Sequence, residues 1–529
     1  MSPGPGASVA RLVTAAPAGA PESPLHASAA ELICLGGDAR IHLDASGRAN
    51  RYGCPPAPDA ALVAFGSSTA STISQEAFAA VERLRARLLA RLDKSTAGDV
   101  YASEAQRVRD ELLIHFGLTG RAEVVLSPSG TDLHLIAGQL IASGASPPLA
   151  IISEETETGS GVPAALAGAQ IKGPTPLEPS GAPHSAFAPV EVRAVAARAA
   201  DGRPRDASAV DAEVEALAEA ALRDGRDVLL VLIDVSKTGL ISPTPASAFA
   251  LAARYPGRLT VLVDGCQLRL SGATLAAYLD RGALVAVTGS KFLTGPAFSA
   301  ALMVPRALAP RLSERPAPQG LAAVSAQGDW PEGWSARSGL HPAPNFGMLL
   351  RWEAALAELR SFAAISDAQV QAVAAGLARV ATEAINAHPE LAALDARALD
   401  RGLGTDSGWD RLKTIFPFLM RAAPDGAWLS RAETEKVWRL MREDLGSHAG
   451  GQSLQARAAA RLRIELGQPV AAGIRDGDPV SALRLCLSSR LVCETSSGDP
   501  RAAARMLSDA RLALAKAAWL AGEVGQGRL

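Results

Sequence analysis

Residues 261–305 read VLVDGCQLRLSGATLAAYLDRGALVAVTGSKFLTGPAFSAALMVP. A β-branched run, Val261-Leu262-Val263, ends in an acid, Asp264, and a helical stretch follows. A second apolar run, Leu284 to Val287, leads into Thr288-Gly289-Ser290-Lys291, and a third, Ala300 to Val304, stops at Pro305. The pattern predicts strand, helix, strand, loop lysine, strand. Asp264 and Lys291 both fall just past strand ends, where open α/β sheets place their ligands. Taken singly, Asp264 also reads as a helix N-cap and Lys291 as a surface lysine. Together they suit pyridoxal phosphate, which needs a lysine for its Schiff base and an anion against its pyridinium nitrogen. A partly desolvated lysine loses its proton more easily and becomes a usable nucleophile.

Working outward, Val124-Val125-Leu126 reads as a strand, and Ser129-Gly130-Thr131 opens the helix that follows it. Free N–H groups at a helix start, with hydroxyls beside them, form an anion site, although capping alone would also explain such a turn. The spacing is not that of a nucleotide-binding P-loop. Further strands are predicted at 149–152, 190–197 and 228–233, the last ending at Asp234, with a helix at 209–223. Residues 173–190 hold five prolines and read as loop. Earlier, 75–93 and 103–116 have helical periodicity. Alternating strands and helices predict an α/β fold with a doubly wound, mostly parallel sheet. After 345 the chain reads helical to 386, then mixes short strands (462–466, 482–487) with helices (432–444, 500–522), as expected of a smaller C-terminal α+β domain. The expected organisation is a poorly ordered tail over 1–30, a large cofactor domain over 31–345 and a small domain over 346–529.

The chain of 529 residues is 48% hydrophobic and 20% charged, with net charge −2. That composition supports a sizeable core and gives no electrostatic case for nucleic acid or an anionic membrane. The Ala/Pro/Gly-rich N-terminus lacks the basic and apolar regions of a secretory signal, and no run approaches a membrane span. Five cysteines, Cys34, Cys54, Cys266, Cys486 and Cys493, have no metal-binding spacing, so no metal is expected and a cytoplasmic location is.

In chain order, Ser129-Gly130-Thr131, Asp234-Val235-Ser236-Lys237-Thr238-Gly239, Val263-Asp264-Gly265-Cys266-Gln267, Thr288-Gly289-Ser290-Lys291-Phe292 and Ala482-Leu483-Arg484-Leu485-Cys486-Leu487-Ser488 together resemble the class V aminotransferase and cysteine desulfurase group of fold type I pyridoxal phosphate enzymes. The resemblance implies a seven-stranded sheet, a homodimer and a small amino acid or amine substrate. It implies that Lys291 forms the Schiff base and shuttles protons, that Asp264 pairs with the ring nitrogen, and that Gln267 contacts the ring hydroxyl oxygen. Ser129, Gly130, Thr131 and Ser290 would hold phosphate; Thr158 and Ser236 would face the cofactor; Arg484 would bind the substrate carboxylate, with Arg490 its nearest rival. Asn345 would reach toward the neighbouring subunit's cofactor.

The sequence also departs from the group. Ser290 stands where many members have histidine, and Thr158 where many stack a histidine or aromatic on the ring, with His134 an alternative. No cysteine lies between Gln468 and Ala482, which disfavours persulfide chemistry. The expected activity is that of an aminotransferase; a lyase of the same group, or a cofactor-binding protein without catalysis, are the alternatives. Trp330 and Trp334 in the 315–345 stretch read either as walls of a substrate entrance or as anchors of a long loop.

Overall fold

The computed structural model describes residues 24–142, 146–169, 177, 187–404, 408–450 and 453–529. Residues 1–23 of the expected tail, and most of the proline-rich 173–190 loop, lie outside the described residues. Residues 24–30 differ from the expectation of disorder. Leu25 and Ala29 are fully buried, and the Arg85 guanidinium donates to the Leu25 and Ala27 carbonyls, tying the segment to the helix Gln75–Leu92.

A first short strand, β1 (Leu62–Phe65), joins the smaller of two sheets. The large sheet takes the next eight strands: β2 (Ala122–Ser127), β3 (Leu149–Ser153), β4 (Glu191–Val195), β5 (Val228–Asp234), β6 (Ile241–Ser242), β7 (Leu259–Gly265), β8 (Leu284–Thr288) and β9 (Ala300–Pro305). Seven of them run in the order β2-β9-β8-β7-β5-β3-β4, and β6 pairs with the end of β5. From β8 to β4 every neighbour is parallel. Only β9 is reversed within the path, antiparallel to both β8 and β2. The short loop between β8 and β9 dictates this, because a parallel return needs a crossover of a dozen or more residues. The central strands β5, β7 and β8 are buried along their whole length, as expected for a sheet covered on both faces.

The second sheet contains β10 (Leu391–Ala393), β11 (Ile415–Met420), β12 (Arg463–Arg475) and β13 (Asp478–Cys486), in the order β1-β12-β13-β11-β10. β12 and β13 form a long hairpin where the sequence suggested two short strands. Its turn is Asp476-Gly477, both at positive φ (53° and 94°), the chemistry a tight hairpin turn demands. β1 lies parallel to β12, pairing Leu62 with Arg463 through Phe65 with Leu466. This pairing brings a segment far upstream, Gly66 to Thr72, against the C-terminal part of the chain. The predicted 346–386 helix is two helices, Phe346–Ala363 and Asp367–Ala387, because Ser366 and Gln369 form a capping box that restarts the chain. Among the described residues no helix is long and apolar enough to cross a membrane.

Candidate active site

At the C-terminal ends of β3, β5, β7 and β8 lies a cavity of about 500 Å³, within the size range of small-molecule sites. Asp264, the penultimate residue of β7, lines it. Period-2 alternation decides which strand-end acid does so. Ile233 of β5 is in register with Asp264, so Asp234, one residue on, points to the opposite face of the sheet. There Arg401 grips Asp234 with two bonds of 2.7 and 2.8 Å, and the Tyr278 hydroxyl donates at 2.6 Å.

The buried Asp264 carboxylate accepts from the Cys266 N–H (3.1 Å) and the Thr158 hydroxyl (3.0 Å). Burial pushes its pKa up, but the charges of His134 and Lys291, with the Cys266 hydrogen bond, outweigh this and hold the carboxyl below its usual value. The His134 Nδ1 lies 2.7 Å from the Gly130 carbonyl, which can only accept, so that nitrogen carries the hydrogen. The Nε2 faces Asp264 at 3.6 Å and has no hydrogen-bond partner among the described residues. His134 is thus held between the helix start and the acid.

Lys291 follows β8 and lines the cavity, and its amine has no hydrogen-bond or ion-pair partner among the described residues. Ser129 caps the helix Gly130–Ile141 by accepting from the Asp132 N–H. The N–H groups of Gly130 and Thr131 remain without partners among the described residues and border the same cavity. Gly130 is required here: a Cβ would lie 2.9 Å from the Cys266 Sγ. The hydroxyl-bearing residues Thr131, Ser290 and Thr288 line this end.

Arg484, on β13, enters the cavity from the second sheet. It is 98% buried, yet its partners are a hydroxyl and carbonyls: Thr69 Oγ1 and Gln468 O, both at 2.7 Å, and Lys237 O at 3.3 Å. Its Nε has no partner, and no acid pairs with it among the described residues. Burial lowers its pKa to about 10. A buried guanidinium that faces a cavity without an acid partner keeps the capacity to pair with an anion there. Arg490, its rival, is instead tied to Glu358 (3.1 Å) and to the Thr72 and Thr294 carbonyls.

Several expected residues are placed elsewhere. Gln267 is buried with its amide on the Ser68 carbonyl (3.0 Å) and does not line the cavity. The Ser236 hydroxyl donates to Glu157 at 2.5 Å, within a buried cluster with Arg198 and Thr238. Thr158 supports Asp264 from behind, and its neighbours Glu155, Thr156, Gly159 and Ser160 form the wall. Asn345 caps the helix Phe346–Ala363 and donates to the Gly36 carbonyl. Trp330 and Trp334 are buried anchors, bonded to Ser325 and Glu123 respectively, and neither lines the cavity.

Sequence reasoning missed Ser68 and Thr69, delivered by the β1–β12 pairing, and Lys237, whose amine donates to the Glu155 carbonyl at 2.8 Å. It also missed Arg40 and Phe298, which stack with the guanidinium 4.7 Å from the ring centre. Non-glycine residues in the left-handed region mark the loops after β5, β7 and β8: Val235 (52°), Leu268 (50°), Thr294 (56°) and Phe298 (75°). Such conformations cost about 1–3 kcal/mol each and persist where surrounding bonds over-determine them. Here the Arg490 and Arg351 guanidinium groups clamp the Thr294 and Phe298 carbonyls.

No family model and no curated protein sequence matches the chain. Solved structures are similar to it. They include serine palmitoyltransferase of Sphingomonas wittichii (11% identity, 88% of each chain, TM-score 0.49) and a NifS-like protein of Rickettsia africae (10% identity, 85% of this chain and 98% of that one, TM-score 0.49). A third is a C-DES mutant with glycine covalently linked to its PLP cofactor (17% identity, 86% of this chain and 99% of that one, TM-score 0.48).

Proposed function

We propose that this protein is a pyridoxal phosphate-dependent enzyme acting on an amino acid or related amine, as an aminotransferase. The observation behind this reading is one cavity that joins an unpartnered amine, Lys291, to a buried acid held charged, Asp264, beside the free N–H groups of a helix start. The residues fit the cofactor: the glycine approach at Gly130 and the unpaired N–H groups suit its phosphate, and the buried carboxylate suits its ring nitrogen. When bound, pyridoxal phosphate supplies an electron sink for charge at the substrate α-carbon.

The chain's own residues do the rest. Asp264, supported by Thr158, the Cys266 N–H and His134, holds a proton on the ring nitrogen. Thr131, Ser290 and the helix N-terminus take the phosphate. Arg484 binds the substrate carboxylate and so orients the α-carbon, and Lys291 moves the α-proton. Lys291 and Asp264 would serve elimination equally well, so products separate the two activities. A keto acid formed without free ammonia supports the aminotransferase; ammonia released together with a pyruvate-type keto acid would make the protein a lyase. Lys291→Ala is expected to abolish turnover while the protein remains folded by circular dichroism; retained turnover would refute the reading.

A further inference from the structure

Several cations of the cavity have no role in holding the proposed cofactor's ring nitrogen or a substrate carboxylate. Among the described residues, six basic ones line the cavity, Arg40, Arg51, Lys237, Lys291, Arg431 and Arg484, against two acids, Asp264 and Glu155. Lys291 and Arg484 already have roles, and Arg40 is neutralised by a fork on Asp38 with bonds of 2.9 and 2.6 Å. Lys237, Arg51 and Arg431 are left, and among the described residues none of them pairs with an acid. We propose that the substrate carries a second anionic group, distal to the carboxylate taken by Arg484, and that Lys237, Arg51 and Arg431 receive it. This rests on the amine-enzyme reading and extends it to a substrate class: amino acids with an acidic side chain.

Stability does not explain the three cations. Arg431 opens the helix Arg431–Leu440, where the N–H groups already present partial positive charge and a cation is unfavourable. The cap of that helix is complete without it, since Ser430 and Glu433 form a capping box. Lys237 is mostly buried, with only the Glu155 carbonyl as partner, and burial followed by the charges of Arg484 and Lys291 lowers its pKa to about 8. Arg51 is an exposed residue of the cavity lining, and its carbonyl accepts from Gln468 at 3.2 Å, so its backbone is tied to β12. Like charges gathered in a concave site raise the local concentration of an oppositely charged ligand.

The test compares matched ligands. The purified protein is titrated by calorimetry with glutarate and with butyrate, a readout that needs no cofactor. The cofactor-loaded protein is titrated with glutamate against glutamine and with phosphoserine against serine, following its visible band; the two pairs distinguish a carboxylate from a phosphate. The dianion is expected to bind at least about tenfold tighter in the calorimetry and in one amine pair, equivalent to about 1.4 kcal/mol. Arg431→Gln and Lys237→Gln should each weaken the dianion and leave its singly charged partner within about twofold. Equal affinity within every pair, or variants that weaken both partners alike, would overturn the proposal. A missing visible band would overturn the cofactor reading instead, and glutarate against butyrate, compared between the parent and the Arg431→Gln and Lys237→Gln variants, would still decide the anion site.

Discussion

Asp234 and Asp264 end neighbouring strands, and one residue of register separates an acid held in an ion pair from one that faces the cavity. Asp264 faces the cavity, where its charge has a use; Asp234 faces Arg401 and is spent on the ion pair. Asp264→Asn keeps the shape and removes the charge, so turnover should fall by about a hundredfold or more with little change in stability, measured as kcat and urea midpoint. Arg484→Gln should raise KM by about 10–100-fold, the scale of a lost charge-assisted pair, with a smaller change in kcat. At this scale the cavity-facing positions of Asp264, Lys291 and Thr131 were legible, because strand ends and a helix start fix where their side chains emerge, whereas Arg484 and Ser290 were expected only from the family resemblance. Gln267 and Ser236 were not, because local sequence does not tell whether a polar side chain at a strand end turns to the cavity or to a neighbouring carbonyl or acid. Lys237 follows β5 as Lys291 follows β8, so its strand-end position was a usable signal.

Among the elements, the parallel core was readable as apolar runs bounded by turns, since burial on both faces leaves near-continuous hydrophobic strands. The second sheet was harder. β11 contains Pro417, which argues against an interior strand; its carbonyl still accepts from the Leu394 N–H. β1 is four residues long, and its partner β12 lies some four hundred residues away, a pairing no local pattern encodes. The Asp476-Gly477 turn was a local signal for the full β12–β13 hairpin. Beneath the large sheet, Arg401→Met should destabilise the protein by about 3–5 kcal/mol in urea unfolding, because it strands Asp234 without its countercharge. Asp234→Asn in the same background should recover part of that loss. If Arg401→Met proves neutral, Asp234 does not depend on this countercharge.

At the scale of the whole molecule, two sheets meet around one cavity, with Asp264 and Lys291 from one and Arg484 from the other. Charge in that cavity couples to pH through Lys237, which faces Arg484, Lys291, Glu157 and Glu155. Its folded pKa, about 8, lies below the ordinary value of 10.5, so between these limits the unfolded chain binds more protons and this group's contribution makes stability rise with pH. Lys237→Met should therefore raise Tm at pH 7 and flatten the rise between pH 8 and 10 relative to the parent; an unchanged profile would show that the amine is not desolvated. The other cavity lysine, Lys291, is the proposed attachment point of the cofactor. Borohydride reduction of the cofactor-loaded protein, followed by peptide mass spectrometry, reads the attachment point directly. The account predicts a reduced pyridoxal phosphate adduct on Lys291; an adduct on Lys237 alone, or none on any lysine, would contradict it.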